Sequence, residues 1–278
     1  GPMKLTTHSV EKPWGRIELP PPFDTLKGAG QPIGEIWFDA GDDRQQELLV
    51  KYIFTNEKLS VQVHPDDDEG RERGLPGGKS ECWYILDAQP GATLGLGTKR
   101  PMSGEELRAA ALDGSIEGLM DWKAIAPGDF FFVPAGTVHA IGAGVSLIEI
   151  QQNVDVTYRL YDYGRPRELH LDDGVAVADA EPYPMALARR VDACRPDVDQ
   201  VLLTECPQFS VMHSCNLAAT RAAFARHELW VVPLDGIARS GGDTATAGEC
   251  LWLSGTDEVT GDPGTHALVG VGALPQPN

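Results

Sequence analysis

Apolar residues in this chain recur in short runs broken by Gly, Pro and Asp clusters, a spacing that favours strands over helices. The runs at 47–54, 60–64, 81–86, 130–134, 145–151 and 156–161 are rich in Val, Ile, Phe and Tyr and predict strands. Alternation is clearest at Ser60, Gln62 and His64, which share one strand face while Val61 and Val63 take the other. One stretch departs from this pattern. Ser103-Gly-Glu-Glu106 is a capping box, followed by Leu107, Ala110, Ala111 and the apolar 116–120 segment, and predicts a helical insertion over 103–121 broken near Gly114. A weaker helix is expected over 184–191, and the charged, glycine-rich stretch 66–79 reads as a loop.

Residues 188–195 look like the passage into a second β unit, where alternation resumes in Leu229-Trp-Val-Val-Pro233 and Cys250-Leu-Trp-Leu253. The division expected is therefore 3–190 and 191–278. The second unit is small for an independent sandwich, so it should borrow strands or lean on the first.

Composition narrows the classes of function. Lys plus Arg is 23 against 41 Asp plus Glu, a net charge of −18, which repels a nucleic acid backbone and leaves no basic stripe to offset it. A small anionic ligand remains possible, since it needs only a few converging cations. No eighteen apolar residues run together, so no membrane-spanning helix is expected. Five cysteines, Cys82, Cys194, Cys206, Cys215 and Cys250, form an odd set without CxxC spacing, which argues against a disulfide framework and for a reducing compartment. The first residues lack a secretory pattern, and Gly1-Pro2 before Met3 reads as a protease scar; the cytoplasm is the expected setting.

Three features suggest a metal. Gln62-Val-His64 places two candidate ligands on one strand face, Glu81 opens the next apolar strand, and Gly128-x5-Pro134-x-Gly136-x2-His139 describes a strand, a tight turn and a His starting another strand. Two imidazoles, a carboxylate and an amide oxygen suit zinc or another divalent first-row metal with open positions for substrate. Taken singly, His64 could merely end a strand, Gln62 could be a polar barrel residue and Glu81 a solvated edge. The glycine–proline spacing before His139 is the specific element.

That spacing matches the second motif of the cupin superfamily. The first cupin motif, normally His-x-His with a nearby Glu, is here Gln62-x-His64 with Glu81 farther on, and this departure resembles the type I phosphomannose isomerases, also called mannose-6-phosphate isomerases. Supporting matches are Lys12-Pro-Trp-Gly15, Gly34-Glu-Ile-Trp37, Leu59-Ser-Val-Gln-Val-His-Pro-Asp66, Gly78-Lys-Ser-Glu-Cys-Trp-Tyr84, Glu149-Ile-Gln-Gln-Asn153 and Thr157-Tyr-Arg-Leu-Tyr-Asp162. The resemblance is strong over residues 10–175 and weaker beyond. It implies an all-β fold of two cupin units, jelly-roll-like β-barrels, in the short bacterial form, with 103–121 as the remnant of a larger helical domain. It implies Gln62, His64, Glu81 and His139 as zinc ligands, Arg159 and Lys79 as active-site cations, and Lys51 and Ser60 as phosphate contacts. His213, His227 and His266 fall in no ligand frame, so the second unit resembles the family's degenerate, non-catalytic cupin.

The implied reaction interconverts mannose 6-phosphate and fructose 6-phosphate through a cis-enediolate. Arg159 could stabilise the developing oxyanion. Glu149 and Lys79 are both candidates for the base, and the residues do not choose between them. Glu149 could instead simply pair with Arg159, and Lys79 could be a solvated loop cation. Lys99 and Arg100 offer further cations beside the insertion, which could cover the site as a lid; such a pair is more often solvated surface. Cys82 should point away from Glu81 into the core. The competing readings are a cupin oxygenase, a non-catalytic or differently specific sugar-phosphate-binding paralogue, and a storage protein. Gln62 and the available cations disfavour the oxygenase. Oligomeric state is left open.

Overall fold

The structure, a computed structural model, describes residues 1–26 and 30–274. It is β-rich: four sheets, in which all the strand pairings are antiparallel, carry a few short helices. The central sheet has seven strands in the order Ala188–Arg190, Asp129–Val133, Glu81–Ala88, Val145–Gln152, Leu48–Phe54, Ile33–Asp39 and Thr6–Arg16. Facing it on one side is a five-stranded sheet, Tyr158–Tyr161, Val61–Val63, His139–Ile141, Thr93–Thr98 and Met120–Ala124. Facing it on the other is a six-stranded sheet built from the C-terminal strands, with Met3–Lys4 added at its edge beside Leu251–Leu253. The facing sheets remain separate ladders, and no closed barrel forms among the described residues.

Both faces of the central sheet are covered, so its strands read as continuous apolar runs. Ile53, Trp83, Ile85, Phe131 and Leu147 pack toward the five-stranded sheet against Leu94, Leu96 and Ile141. Their sequence neighbours Phe54, Cys82, Phe132 and Ile148 point the other way and meet Phe209, Trp230 and Val232 of the six-stranded sheet. Cys82 is thus a buried core thiol on the strand face opposite Glu81. Trp230 ties the sheets together by donating its indole N–H to Gln46 Oε1 at 2.9 Å.

The insertion forms as its pattern predicts. Helix Gly104–Asp113 begins with the reciprocal Ser103–Glu106 bonds, both 3.1 Å, stops at Gly114, and is followed by a short turn of helix, Ile116–Leu119. Leu107, Ala110 and Ile116 pack with Val61, Val63 and Leu160 on the outer face of the five-stranded sheet. The insertion therefore backs the sheet and is no lid over its inner face.

Three expectations are corrected. Residues 66–79 contain a helix, Asp67–Glu72, with a capping box between Asp66 and Glu69. Residues 184–191 form a single 3-10 turn, Met185–Leu187, and then the edge strand Ala188–Arg190, which gains backbone partners along Asp129–Phe131. Cys194 and Cys215 are joined by a disulfide across 21 positions, whereas the odd cysteine set argues against a disulfide framework; Cys82, Cys206 and Cys250 are free. Among the described residues no helix is long and apolar enough to cross a membrane.

Candidate active site

Period-two alternation on both facing sheets aims one polar set into the space between them. From the five-stranded sheet come Ser60, Gln62, His64, His139 and Arg159; from the central sheet come Glu35, Lys51, Glu81, Trp83 and Glu149. They line one open cleft of ≈ 830 Å³, counting solvent at its mouth.

At the floor, three groups converge. His64 Nε2 and His139 Nε2 lie 3.3 and 3.0 Å from Glu81 Oε1, and all three residues are buried. The turn that precedes His139 fixes this geometry. Gly136 has φ +89°, a Cβ there would collide with the Asp179 carboxylate, and its N–H donates to the His64 carbonyl at 2.9 Å. The backbone thus stitches the two histidine strands together.

The donor set can be tested against a cation. His139 Nδ1 lies 2.9 Å from the Thr137 carbonyl, which makes Nδ1 the protonated nitrogen and leaves Nε2 a lone pair. Burial, and next the Lys79 charge, hold the His64 imidazole neutral down to about 3. Burial opposes the Glu81 charge, yet its carboxyl stays well below the usual range, so it presents a carboxylate oxygen to the two imidazoles. Glu81 Oε1 has no hydrogen-bond donor of its own. Buried acceptors pressed together without donors are costly, and a divalent cation is the partner that satisfies them jointly. Gln62 stands opposite both His139 and Arg159 in the strand register. Its amide N–H₂ is directed at Ser60 Oγ (3.2 Å) and the Ser60 carbonyl (3.4 Å), leaving the amide oxygen for another partner.

Behind the cluster lies a buried ion chain. Lys51 Nζ is 2.8 Å from Glu35 Oε1 and 3.4 Å from Glu149 Oε1, and Lys12 reaches Glu35 from the rim at 3.5 Å. Burial works against the Lys51 charge, yet Glu149 and Glu35 outweigh it and hold the ammonium above the usual lysine range. Glu149 accepts from Trp83 Nε1 at 2.9 Å. Burial and then the nearby Glu81 push its carboxyl up to about 8, against the pull of Lys51 and Lys79.

Lys79 is buried, not solvated. Its backbone N–H donates to the Pro65 carbonyl, and Gly78 packs so tightly on Asp66 and Asp67 that no side chain would fit. Asp67 Oδ1 accepts from Gly78 N (2.8 Å) and Gln152 Nε2 (2.9 Å), so the Asp67–Glu72 helix clamps this segment to the central sheet. Among the described residues Lys79 Nζ donates only to the Val156 carbonyl, at 3.3 Å. Burial, and next Lys51, push its ammonium below the usual lysine range.

The structure gathers every candidate read from the sequence except Lys99 and Arg100, which are exposed, away from the cleft; Arg100 pairs with Glu106 at 2.9 Å. Glu149 pairs with Lys51 instead of Arg159. Arg159 donates from Nε to the Glu168 carbonyl at 3.0 Å, and among the described residues no carboxylate lies within 4.0 Å of its guanidinium. Sequence reasoning missed Glu35, Trp83 and Arg167. Glu35 had a signal, a lone carboxylate inside the apolar run Ile33-Gly-Glu-Ile-Trp37, which is costly unless paired.

No family model matches the chain. The mannose-6-phosphate isomerase ManA of Bacillus subtilis is 38% identical over 199 residues, covering 66% of this chain and 61% of that protein. A mannose-6-phosphate isomerase of Streptococcus mutans is 43% identical over 136 residues, 47% of this chain and 43% of that one. The matched region spans about half the length of the curated relatives. In fold the likeness is full-length: the crystal structure of the Bacillus subtilis mannose 6-phosphate isomerase superposes with TM-score 0.70 at 25% identity, over 97% of this chain and 99% of that one. A phosphomannose isomerase from Salmonella typhimurium gives 0.68 at 16% identity, over 99% and 100%, a likeness of fold alone. The resemblance carried by the motifs is borne out.

Proposed function

We propose that this chain, related by sequence and fold to the mannose-6-phosphate isomerases, interconverts mannose 6-phosphate and fructose 6-phosphate with one zinc ion as cofactor. The observation that carries the reading is the donorless His64–Glu81–His139 cluster on the floor of a cleft whose walls hold Glu149, Lys79 and Arg159. His64, Glu81 and His139 hold the ion, and the Gln62 amide oxygen completes the set. When bound, the ion supplies Lewis-acid polarisation of the sugar's carbonyl and hydroxyl oxygens.

The chain's own groups do the rest. Isomerisation moves one proton between C2 and C1 of the open-chain sugar, so one group must both take and return it. Glu149 suits that role, because burial lifts its carboxyl toward neutral pH and Trp83 and Lys51 fix its orientation. Lys79, without a carboxylate partner, faces the same floor and stabilises the oxyanion that develops as the proton leaves C2. Arg159 keeps two guanidinium nitrogens for the open chain or its phosphate. Lys51 is already paired with Glu35 and lies against Glu149, so it acts by setting the Glu149 charge rather than by meeting phosphate; Ser60 orients Gln62.

The finer architecture belongs to the same proposal. Residues 3–190 form a metal-binding cupin unit and 191–278 a degenerate second one, supported by the facing-sheet cores on either side of the central sheet. The setting is the cytoplasm, where phosphorylated sugars are retained by their charge. The test is conversion of mannose 6-phosphate before and after chelation, with zinc restored. Activity lost on chelation and regained with zinc is expected, and a metal-replete chain without turnover would overturn the reading.

A further inference from the structure

The histidines of the second unit are scattered in sequence but not in space. His213 lies in the Phe209–Ser214 strand and is buried, and its ring nitrogens and the sulfurs of Cys194 and Cys215 offer ligand atoms within 4.8 Å of one another. His266, from the neighbouring strand His266–Gly272, meets it with Nδ1 2.9 Å from His213 Nε2. A small open cleft lies over the two cysteines and His213, lined also by Asp192 and Gln200. A crosslink alone requires none of this. Apolar neighbours would shield a disulfide equally well, and burying the His213 imidazole beside it is unfavourable unless its nitrogens are used. Two sulfurs and one imidazole at this separation, with a second imidazole fixing the ring of the first, are the donor types and outer-shell support of a zinc-class centre.

We propose that Cys194, Cys215 and His213 form a second metal site, distinct from the cleft between the central and five-stranded sheets, which holds a divalent zinc-class ion when the two cysteines are reduced. A dithiol supplies the two electrons and two protons that convert the disulfide into two thiols, and is itself oxidised to a disulfide. The ion then displaces both thiol protons and takes two thiolates and one imidazole. The sulfurs must part to about 3.8 Å, the spacing that tetrahedral Zn–S bonds of about 2.3 Å impose. Cys194 lies in the exposed connection between the Ala188–Arg190 and Gln200–Glu205 strands, where the chain passes from the central sheet to the six-stranded one. The fourth position faces the cleft, beside Asp192. Disulfide and metal are thus alternative fastenings of the same crossing.

Cobalt(II) separates this site from the other, because the His64–Glu81–His139 cluster has no sulfur and produces no thiolate-to-cobalt charge-transfer absorption. Full-length protein, freed of metal, would be titrated with cobalt(II) in oxidised form and again after dithiol reduction under native conditions. Reduction should add one equivalent of bound cobalt with the near-ultraviolet thiolate band, and zinc should displace it. Cys194→Ser, at an exposed position, should abolish both. His266→Gln should keep the band while weakening affinity about 10- to 100-fold, as loss of an outer-shell partner does. A disulfide that resists native reduction, equal cobalt uptake in the two forms, or a band that survives Cys194→Ser would each overturn the proposal. The last outcome would assign the band to Cys82, Cys206 or Cys250.

Discussion

Lys51→Met isolates the buried ion chain from the metal cluster beside it. Methionine matches lysine in length and keeps the stem packed near Trp37, whose ring centre lies 5.2 Å from Nζ, so the change removes charge with little loss of volume. Two carboxylates then lose their shared cation. Removing one partner of a buried pair costs about 3–5 kcal/mol. In the metal-free chain Glu149, with its carboxyl near 8, is already largely protonated at neutral pH, and Lys12 still reaches Glu35. The expectation is therefore the lower end, about 3 kcal/mol, or about 6–12 °C in Tm at 2–4 °C per kcal/mol for a chain of this size. Calorimetric melting of the metal-free protein at pH 7 measures it. Adding Glu35→Gln should restore part of the loss, since the stranded charge is then gone. A Lys51→Met protein as stable as the parent, with KM raised and kcat unchanged, would refute the reasoning and return Lys51 to the phosphate contact the resemblance implies.

Three further outcomes follow from the same geometry. His139→Ala should lose both bound metal and turnover, whereas Arg159→Ala should retain metal by mass spectrometry yet lose about 10²–10³ in kcat, the usual cost of one oxyanion donor; full activity in Arg159→Ala would remove it from the chemistry. Because His64 stays neutral to about 3 when folded but takes a proton near 6.5 when unfolded, metal-free stability is fully present above pH 6.5. It should fall by up to about 1.4 kcal/mol per unit as pH drops toward 3, and His64→Asn should flatten that slope in melts between pH 6.5 and 4; an unchanged slope would contradict the assignment. Trp83→Phe deletes the donor to Glu149 and should cost about 1–3 kcal/mol while moving the acid limb of the pH–rate profile upward; a superimposable profile would show that the indole does not set this carboxyl.

The inner face of the five-stranded sheet was legible because it is polar: Ser60, Gln62 and His64 alternate with Val61 and Val63, which go to the helices. The Ser103 capping box and the Gly136 turn were legible because each rests on local backbone chemistry. The central sheet was harder to orient. A run such as Phe130-Phe-Phe-Val133 is buried on both faces, so polarity along it does not say which side faces the cleft. The Asp66 helix carried its own capping box and was still read as loop, since charge dominated the stretch. What folds it is Asp67 bonding to Gly78, Gln152 and Gln208, partners that lie far along the chain. Cys194 and Cys215 show the same limit, because strand pairing rather than cysteine spacing brings them together.

The charges of the cleft are sorted by depth, and that sorting constrains the order of binding. Buried at the floor are three carboxyl groups, Glu35, Glu81 and Glu149, and two ammonium groups, Lys51 and Lys79; with Glu149 largely protonated in the metal-free chain, the charges nearly cancel. Toward the mouth lie Lys12, Arg159 and Arg167 against Asp155. Arg167 is held by Asp162 at 2.7 Å and Lys12 by Glu35, which leaves Arg159 as the rim cation without a carboxylate partner among the described residues. A floor without net positive charge offers an anionic sugar phosphate little attraction. A dication in the His64–Glu81–His139 cluster would make the floor positive, and in the low dielectric between two sheets that charge is felt across the cleft. Substrate affinity should therefore depend on metal more strongly than contact at the metal alone requires. Inorganic phosphate, which has no sugar to coordinate, tests this: it should bind the zinc-loaded chain at least tenfold more tightly than the metal-free one, a difference of about 1.4 kcal/mol. The difference should shrink in Arg159→Ala, because the rim would then offer no free guanidinium. Equal phosphate affinity with and without zinc would mean that the floor charge is screened from the mouth, and that metal and phosphate sites act independently.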